Sequence, residues 1–307
     1  MRKKIIFNHL KKRSELNCLP EIAQKYEYRF YAFHSFHPGY YSRTTAYPKL
    51  GILEKNFFHS YNYFNHKQDG RRHRFLSDKE FFRQSWRKIS STLKTKEKSV
   101  FYLLTSGLHF PFTHNAPDRN ANSFLRYKND RDNEALDAFL KRLSQSAGAV
   151  KRFIQKIQRK DPTAKILLLG DHWPPLVTAY KSHDPGDYLR KRALPYWFFE
   201  KGESVDLPEK ATFELTHTLY QSMGWQSPYP YLASLSQLKD GEFQRALHNG
   251  YYRKKGQQHY WRCPSGLKED SQSGCEQEST IWAHLNTLYH YLTCLLYTSD
   301  AADESTC

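Results

Sequence analysis

The segment Lys165-Ile-Leu-Leu-Leu-Gly-Asp-His-Trp-Pro-Pro175 constrains the fold of this chain more than any other. An apolar run as short and as sharply bounded as Ile166 to Leu169 reads as a buried strand, because helices seldom begin and stop within a single turn. Gly170 lets the backbone turn, and Pro174 and Pro175 forbid the strand from continuing. Asp171 and His172 are thereby left side by side at the carboxyl end of a strand expected to be central. That is where open α/β sheets put their ligands. A neighbouring carboxylate and imidazole can hold one divalent cation together. The alternative is a turn aspartate beside a structural histidine.

Two more segments repeat the design. Ser99 to Ser106 is apolar and β-rich, and it empties into Gly107, Leu108, His109, Phe110, Pro111 and Phe112. Tyr28 to Ser35 ends in His37, Pro38, Gly39, Tyr40, Tyr41, Ser42 and Arg43. Any one of these histidines is more often an ordinary loop or core residue. Three strands that each deliver His or Arg to the following loop imply a site for an anion, held by a metal, imidazoles and a guanidinium.

Helices are expected between the strands. Ser77-Asp-Lys-Glu80 has the pattern of a capping box and opens a helix with Phe81, Phe82, Trp86, Ile89 and Leu93 on one face. Asn133 is expected to open a longer one. Its apolar stripe is Leu136, Phe139, Leu140, Leu143, Val150, Ile154 and Ile157, with Lys151, Arg152, Lys156, Arg159 and Lys160 opposite. That helix leads through Asp161-Pro162 into the Asp171 strand, an α-to-β unit consistent with a mostly parallel, layered sheet.

The serial order of these motifs resembles a known family. Cys18-Leu-Pro20, Tyr28 to His34, Tyr41-Ser-Arg43, Tyr47-Pro-Lys-Leu-Gly51, Thr105 to Pro111, Gly170 to Pro175, Ala193 to Glu200, and a helix from Thr212 to Met223 stopped by Gly224 follow one another. This order is similar to the sulfatase-like branch of the alkaline phosphatase superfamily. Within it, the match is to membrane phosphoglycerol and phosphoethanolamine transferases, including the lipoteichoic acid synthases.

The resemblance implies an alkaline phosphatase-like layered α/β/α fold with a mostly parallel central sheet. It makes residues 1–225 a catalytic domain incomplete at its amino terminus; residues 226–293, rich in Tyr, Gly and polar residues with weak periodicity, read as a smaller carboxyl-terminal subdomain. Asp171 and His172 would be ligands of one divalent metal: manganese, magnesium or zinc. His109 would contact the phosphate or the leaving oxygen. Arg43 would bind the headgroup phosphate, its planar fork suited to two parallel hydrogen bonds. Tyr41 would wall the pocket, while His37 beside Pro38 has a turn-shaping role as its alternative.

The implied reaction carries a phospholipid headgroup, through a phospho-Thr intermediate, to a glycan or polymer of the cell envelope. A sulfatase or phosphodiesterase of the same fold would pass the group to water instead. The family's nucleophilic Thr stands well before the Cys-Leu-Pro element, and an acidic metal ligand stands earlier still. Met1 to Asn17 contains no Thr, and its sole acid is Glu15. The chain is therefore expected to lack the first third of such a domain and to be inactive by itself. Residues 294–307 resemble translated sequencing-adapter DNA and are set aside from fold reasoning.

Composition agrees with an anionic environment. The formal net charge is +16 and the sequence pI is about 9.5, a balance that favours lipid headgroups, envelope phosphates or nucleic acid. Basic residues interleaved with aromatics also describe single-stranded nucleic-acid binders. Here the basic residues are scattered and no zinc-finger or RNA-binding signature occurs, so no nucleic-acid partner is expected. No run of about eighteen apolar residues exists to span a bilayer, and the start Met1-Arg-Lys-Lys-Ile-Ile-Phe has no signal-peptide apolar region behind it. The family resemblance nevertheless implies membrane attachment through an amino-terminal region. The implied location is the inner membrane, with the catalytic domain periplasmic or extracellular. Cys263 and Cys275 are readable either as a small disulfide loop or as free thiols.

Overall fold

The run Arg29-Phe-Tyr-Ala-Phe-His34 forms strand β1 and is buried at every position from Phe30 onward. A strand covered on both faces belongs in the middle of a layered parallel sheet. Strands β2 (Phe57–His59) and β3 (Ser99–Leu104) flank β1 in the order β2-β1-β3, and both run parallel to it. The register aligns His34 with His59 on one side and with Leu104 on the other. All three strands therefore end at one edge, and the loops that follow them emerge together. The chain is a computed structural model describing residues 18–65, 76–109, 112, 131–171, 194–207 and 212–226, with the backbone of 252–255 and 258–261.

Helices α1 (Leu19–Lys25), α2 (Arg43–Lys49), α3 (Asp78–Lys94) and α4 (Arg131–Lys160) accompany these strands. α1 carries Pro20 in its first turn, where the missing N–H is not needed. α3 begins as its sequence signals: Ser77 accepts a hydrogen bond from the Glu80 N–H at 3.3 Å. The main core gathers Tyr31 and Phe33 of β1 with Leu76, with Phe81, Phe82 and Ile89 around α3, and with Ala149 and Phe153 of α4. Phe33 stacks on Phe58 at 4.8 Å, and Phe82 meets Phe153 at 4.7 Å. These ring contacts join strand to strand and helix to helix.

The seam of α4 differs from the expected stripe. Leu143 is 40% exposed, whereas Ala138, Ser146, Ala149 and Phe153 are buried. Small residues let α4 approach α3 closely, and a stripe drawn from large apolar residues alone misses them. The helix also begins at Arg131 rather than at Asn133.

The Asp171 strand is placed differently from its expected central position. Strand β4 (Ile166–Leu169) pairs antiparallel with β5 (Tyr196–Glu200), which pairs antiparallel with β6 (Glu203–Val205). β4 is only half buried, with Leu169 exposed. A short apolar run fixes a strand but not the direction of its neighbour, which is why the sequence did not announce this pairing. The β5–β6 hairpin closes through Lys201 and Gly202, both at positive φ (50° and 83°), as a two-residue turn matched to strand twist requires. Lys165 pairs with Glu200 at 2.5 Å across the same end of this sheet.

The chain separates into two compact units, the second spanning Leu207–Leu295. In the second, helix α5 (Thr212–Ser222) is stopped by Gly224 at φ +66°, and Trp225 N–H returns to the Tyr220 carbonyl at 2.8 Å. Strands β7 (Tyr252–Lys255) and β8 (Gln258–Trp261) form an antiparallel pair. No helix among the described residues is long and apolar enough to cross a membrane.

Candidate functional site

The loop after β1 is built to turn Arg43 inward. Tyr40 N–H bonds to the His37 carbonyl at 3.1 Å, and Ser42 N–H bonds to the Gly39 carbonyl at 2.9 Å. Tyr41 and Ser42 then both adopt left-handed backbone, at φ +53° and +54°. Such a conformation costs about 1–3 kcal/mol at each non-glycine position and persists only where the surroundings impose it. Arg43, the first residue of α2, is 1% exposed. Its Nη1 donates to the Tyr40 carbonyl at 3.1 Å, and its guanidinium carbon lies 5.2 Å from the Tyr41 ring centre.

His34 closes β1 beside this arginine and is 2% exposed. Its Nδ1 lies 3.5 Å from the Leu104 carbonyl, an acceptor that favours the tautomer with the proton on Nδ1 and the lone pair on Nε2. Nε2 is buried and has no hydrogen-bond partner among the described residues. Burial holds the imidazole well below the usual histidine range. The Arg43 charge adds to this, as do His109 and His59, while the Leu104 carbonyl works against it. His34 is therefore neutral at physiological pH.

This has a consequence for stability. The folded pKa lies below the unfolded value of about 6.5, so on acidification the unfolded chain takes up this proton first. Stability is fully present above that value and declines as pH falls below it. Urea unfolding of His34→Gln at pH 5 and pH 7 should show a smaller loss on acidification than the unaltered chain. An identical loss in both would remove His34 as its source.

His109 lies in the loop after β3. Its N–H reaches the Ser106 carbonyl at 3.2 Å, and its own carbonyl accepts from Arg142 Nη1 of α4 at 3.2 Å. The Ser106 and Ser35 hydroxyls are hydrogen-bonded, which ties the β3 loop to the residue after His34. At the end of β2, His59 Nδ1 accepts from Tyr61 N–H at 3.3 Å. Burial lowers the pKa of His59, Glu54 opposes this, and His37 adds to the lowering. His37 itself is exposed and accepts from Gly39 N–H at 2.9 Å, which gives it a turn-shaping role.

Arg43, Tyr41 and His109 thus gather about one sheet edge. His34 and His59, which the sequence motifs do not mark, stand with them. The signal for His34 was present: a histidine ends an otherwise apolar strand, in step with Phe30 and Ala32 on the same buried face. Asp171 follows β4 at the end of the other sheet and is exposed, with Gly170 N–H bonded to the Pro195 carbonyl at 3.0 Å. His172 lies outside the described residues. Among the described residues, no group of three or more His, Cys, Asp or Glu side chains could hold a metal ion. Asp171 supplies one hard oxygen donor, a type suited to magnesium, manganese or zinc.

The model of the family described as Sulfatase matches residues 5–224. The chain belongs to the sulfatase family. A Rhizobium meliloti (strain 1021) protein named for cyclic beta-1,2-glucan modification is 22% identical over 233 residues, covering 69% of this chain and 35% of that protein. The lipoteichoic acid synthase of Staphylococcus saprophyticus is 25% identical over 169 residues, covering 53% of this chain and 24% of that protein. The chain therefore spans about a third or less of the length of the curated relatives it matches. A crystal structure of an alkaline phosphatase superfamily protein from Vibrio parahaemolyticus superimposes with a TM-score of 0.56 at 13% identity, covering 97% of this chain and 73% of that one. The α/β fold of this sulfatase-family chain is accordingly that of the alkaline phosphatase superfamily.

Proposed function

We propose that this chain supplies the anion-binding side of an enzyme that transfers a phospholipid headgroup, phosphoglycerol or phosphoethanolamine, to a cell-envelope glycan or polymer. The observation that carries this reading is the buried Arg43 beside a neutral His34 and the His109 loop. Arg43 offers a planar fork to phosphate oxygens. The His34 Nε2 lone pair accepts from a hydroxyl or amine of the headgroup, a partner that bare sulfate cannot offer. His109 contacts the phosphate or the leaving oxygen, and Tyr41 walls the pocket.

Two further features support the proposal. The lipoteichoic acid synthase relative is named for assembly of an envelope polymer, and the net charge of +16 suits anionic lipid and polymer partners.

Asp171 and His172 would hold the divalent metal, with manganese, magnesium or zinc as candidates. When bound, such a metal neutralises charge on phosphoryl oxygens. The chain's own residues bind and orient the headgroup, and electrostatic positioning is the main contribution of sites that transfer phosphoryl groups. In this reading residues 1–225 belong to the catalytic domain and 226–293 to a carboxyl-terminal subdomain. The working location is the outer face of a membrane.

The family match itself favours a second reading, a hydrolase acting on sulfate esters or phosphodiesters. Calorimetric titration separates headgroup transfer from hydrolysis of sulfate esters. sn-Glycerol 1-phosphate is expected to bind at least about tenfold more tightly than inorganic sulfate, a difference of about 1.4 kcal/mol. Equal affinity, or a preference for sulfate, would favour the hydrolase.

A further inference from the structure

We infer that Asp78 is a positioning residue for the proposed anion site: it clamps the Ser106–His109 turn and thereby sets where His109 meets the ligand. The inference deepens the anion-binding reading and rests on it.

Asp78 is the first residue of α3 and is 4% exposed. Its Oδ1 accepts from Gly107 N–H at 2.9 Å, and its Oδ2 accepts from the Ser146 hydroxyl of α4 at 2.5 Å. One carboxylate therefore joins three elements: the start of α3, the middle of α4 and the loop that carries His109. Helix capping does not require it, because Ser77 already caps α3. The helix N-terminus makes the charge tolerable there but does not explain why the side chain turns toward the loop. Burial raises its pKa, and only the bonds to Ser146 and Gly107 oppose this. A carboxylate kept under those conditions is costly unless its acceptors are used.

The fit at Gly107 is close. A Cβ added there would lie 2.7 Å from Asp78 Cγ and nearer still to Oδ1, so this approach is open only to glycine. The same loop is tied through Ser106 to Ser35, the residue after His34. Arg142, one helical turn before Ser146 on α4, holds the His109 carbonyl at 3.2 Å. Asp78 thus acts on His109 through the backbone of the turn that carries it. It touches no ligand itself and works through Gly107. Misplacement of a site group by 1 Å can cost on the order of a hundredfold in function.

The test uses Asp78→Ala and Asp78→Asn in the full chain, with inorganic phosphate as the probe. An Asn retains an acceptor for Gly107 N–H and gains a donor for Ser146. Amide hydrogen exchange at Gly107 reads the clamp independently of any ligand. Asp78→Ala is expected to speed exchange at Gly107 and to weaken phosphate binding by about tenfold, with Asp78→Asn within about threefold of the unaltered chain. Gly107→Ala, which displaces the loop while leaving the carboxylate, should reproduce the binding loss and covers the case in which Asp78→Ala does not fold. Faster exchange with unchanged phosphate affinity in Asp78→Ala or Gly107→Ala would overturn the positioning role and leave the anion site standing. If the unaltered chain binds no phosphate, the anion site falls, and the positioning role falls with it.

Discussion

Arg43→Ala is expected to weaken binding of phosphate and of sn-glycerol 1-phosphate by about a hundredfold or more, the largest effect on ligand affinity of any single change at this edge. The guanidinium is buried, so its bonds to an anion form out of competition with water. Charge-assisted hydrogen bonds of that kind contribute about 1.5–3 kcal/mol each. Arg43→Lys keeps the charge and loses the fork, and about a tenfold loss is expected for it. The two variants also differ in what they do to His34. The Arg43 charge is one of the causes holding that imidazole neutral, so Arg43→Ala should let His34 titrate at higher pH, while Arg43→Lys should change it less. Calorimetry gives the affinities, and the His34 ring proton followed by NMR gives the titration. Phosphate binding by Arg43→Ala within about threefold of the unaltered chain would remove Arg43 from the site.

What the sequence disclosed, and what it hid, divides along physical lines. β1, β3 and α3 were legible because each carries its signal locally: apolar β-rich runs, and a Ser cap three residues before a Glu. The joining of the strands into one parallel edge follows from β1, which is buried on both faces. His34 was hidden because a histidine at the end of an apolar strand differs from a core residue only through its neighbours. The neighbour that matters, Arg43, is brought to it by left-handed backbone at Tyr41 and Ser42, which no residue type there announces. The α4 seam was misjudged at Leu143 because close helix packing selects Ala and Ser, which hydropathy ranks low. The pairing of β4 with β5 was hidden for a different reason. An apolar run reports burial, and ladder direction depends on a partner almost thirty residues away in sequence. Asp78 was read as part of a cap, and only its tertiary partners Gly107 and Ser146 give it another role.

Asp171→Ala is expected to abolish manganese binding at concentrations that saturate the unaltered chain. The argument begins with exposure. Asp171 is exposed at the end of β4, and removing its carboxylate opens no cavity. Exposed substitutions of this kind usually change stability by no more than about 0.5 kcal/mol. The backbone bond that fixes the strand end, Gly170 N–H to the Pro195 carbonyl, involves no Asp171 side-chain atom. A loss of metal affinity at an unchanged melting temperature would therefore report on ligation rather than on unfolding. The expected size follows from charge. A hard divalent cation takes oxygen donors, and an anionic carboxylate is the donor a neighbouring imidazole cannot replace. Titration with Mn²⁺ followed by electron paramagnetic resonance, with thermal unfolding alongside, separates the outcomes. Lost binding with an unchanged melting temperature supports Asp171 as a ligand; an unchanged Mn²⁺ titration returns it to the role of a turn residue. Because Arg43 starts the helix that follows β1 and Asp171 follows β4 of a different sheet, phosphate binding without metal should survive Asp171→Ala and not Arg43→Ala. That asymmetry would assign the anion to Arg43 and the cation to Asp171.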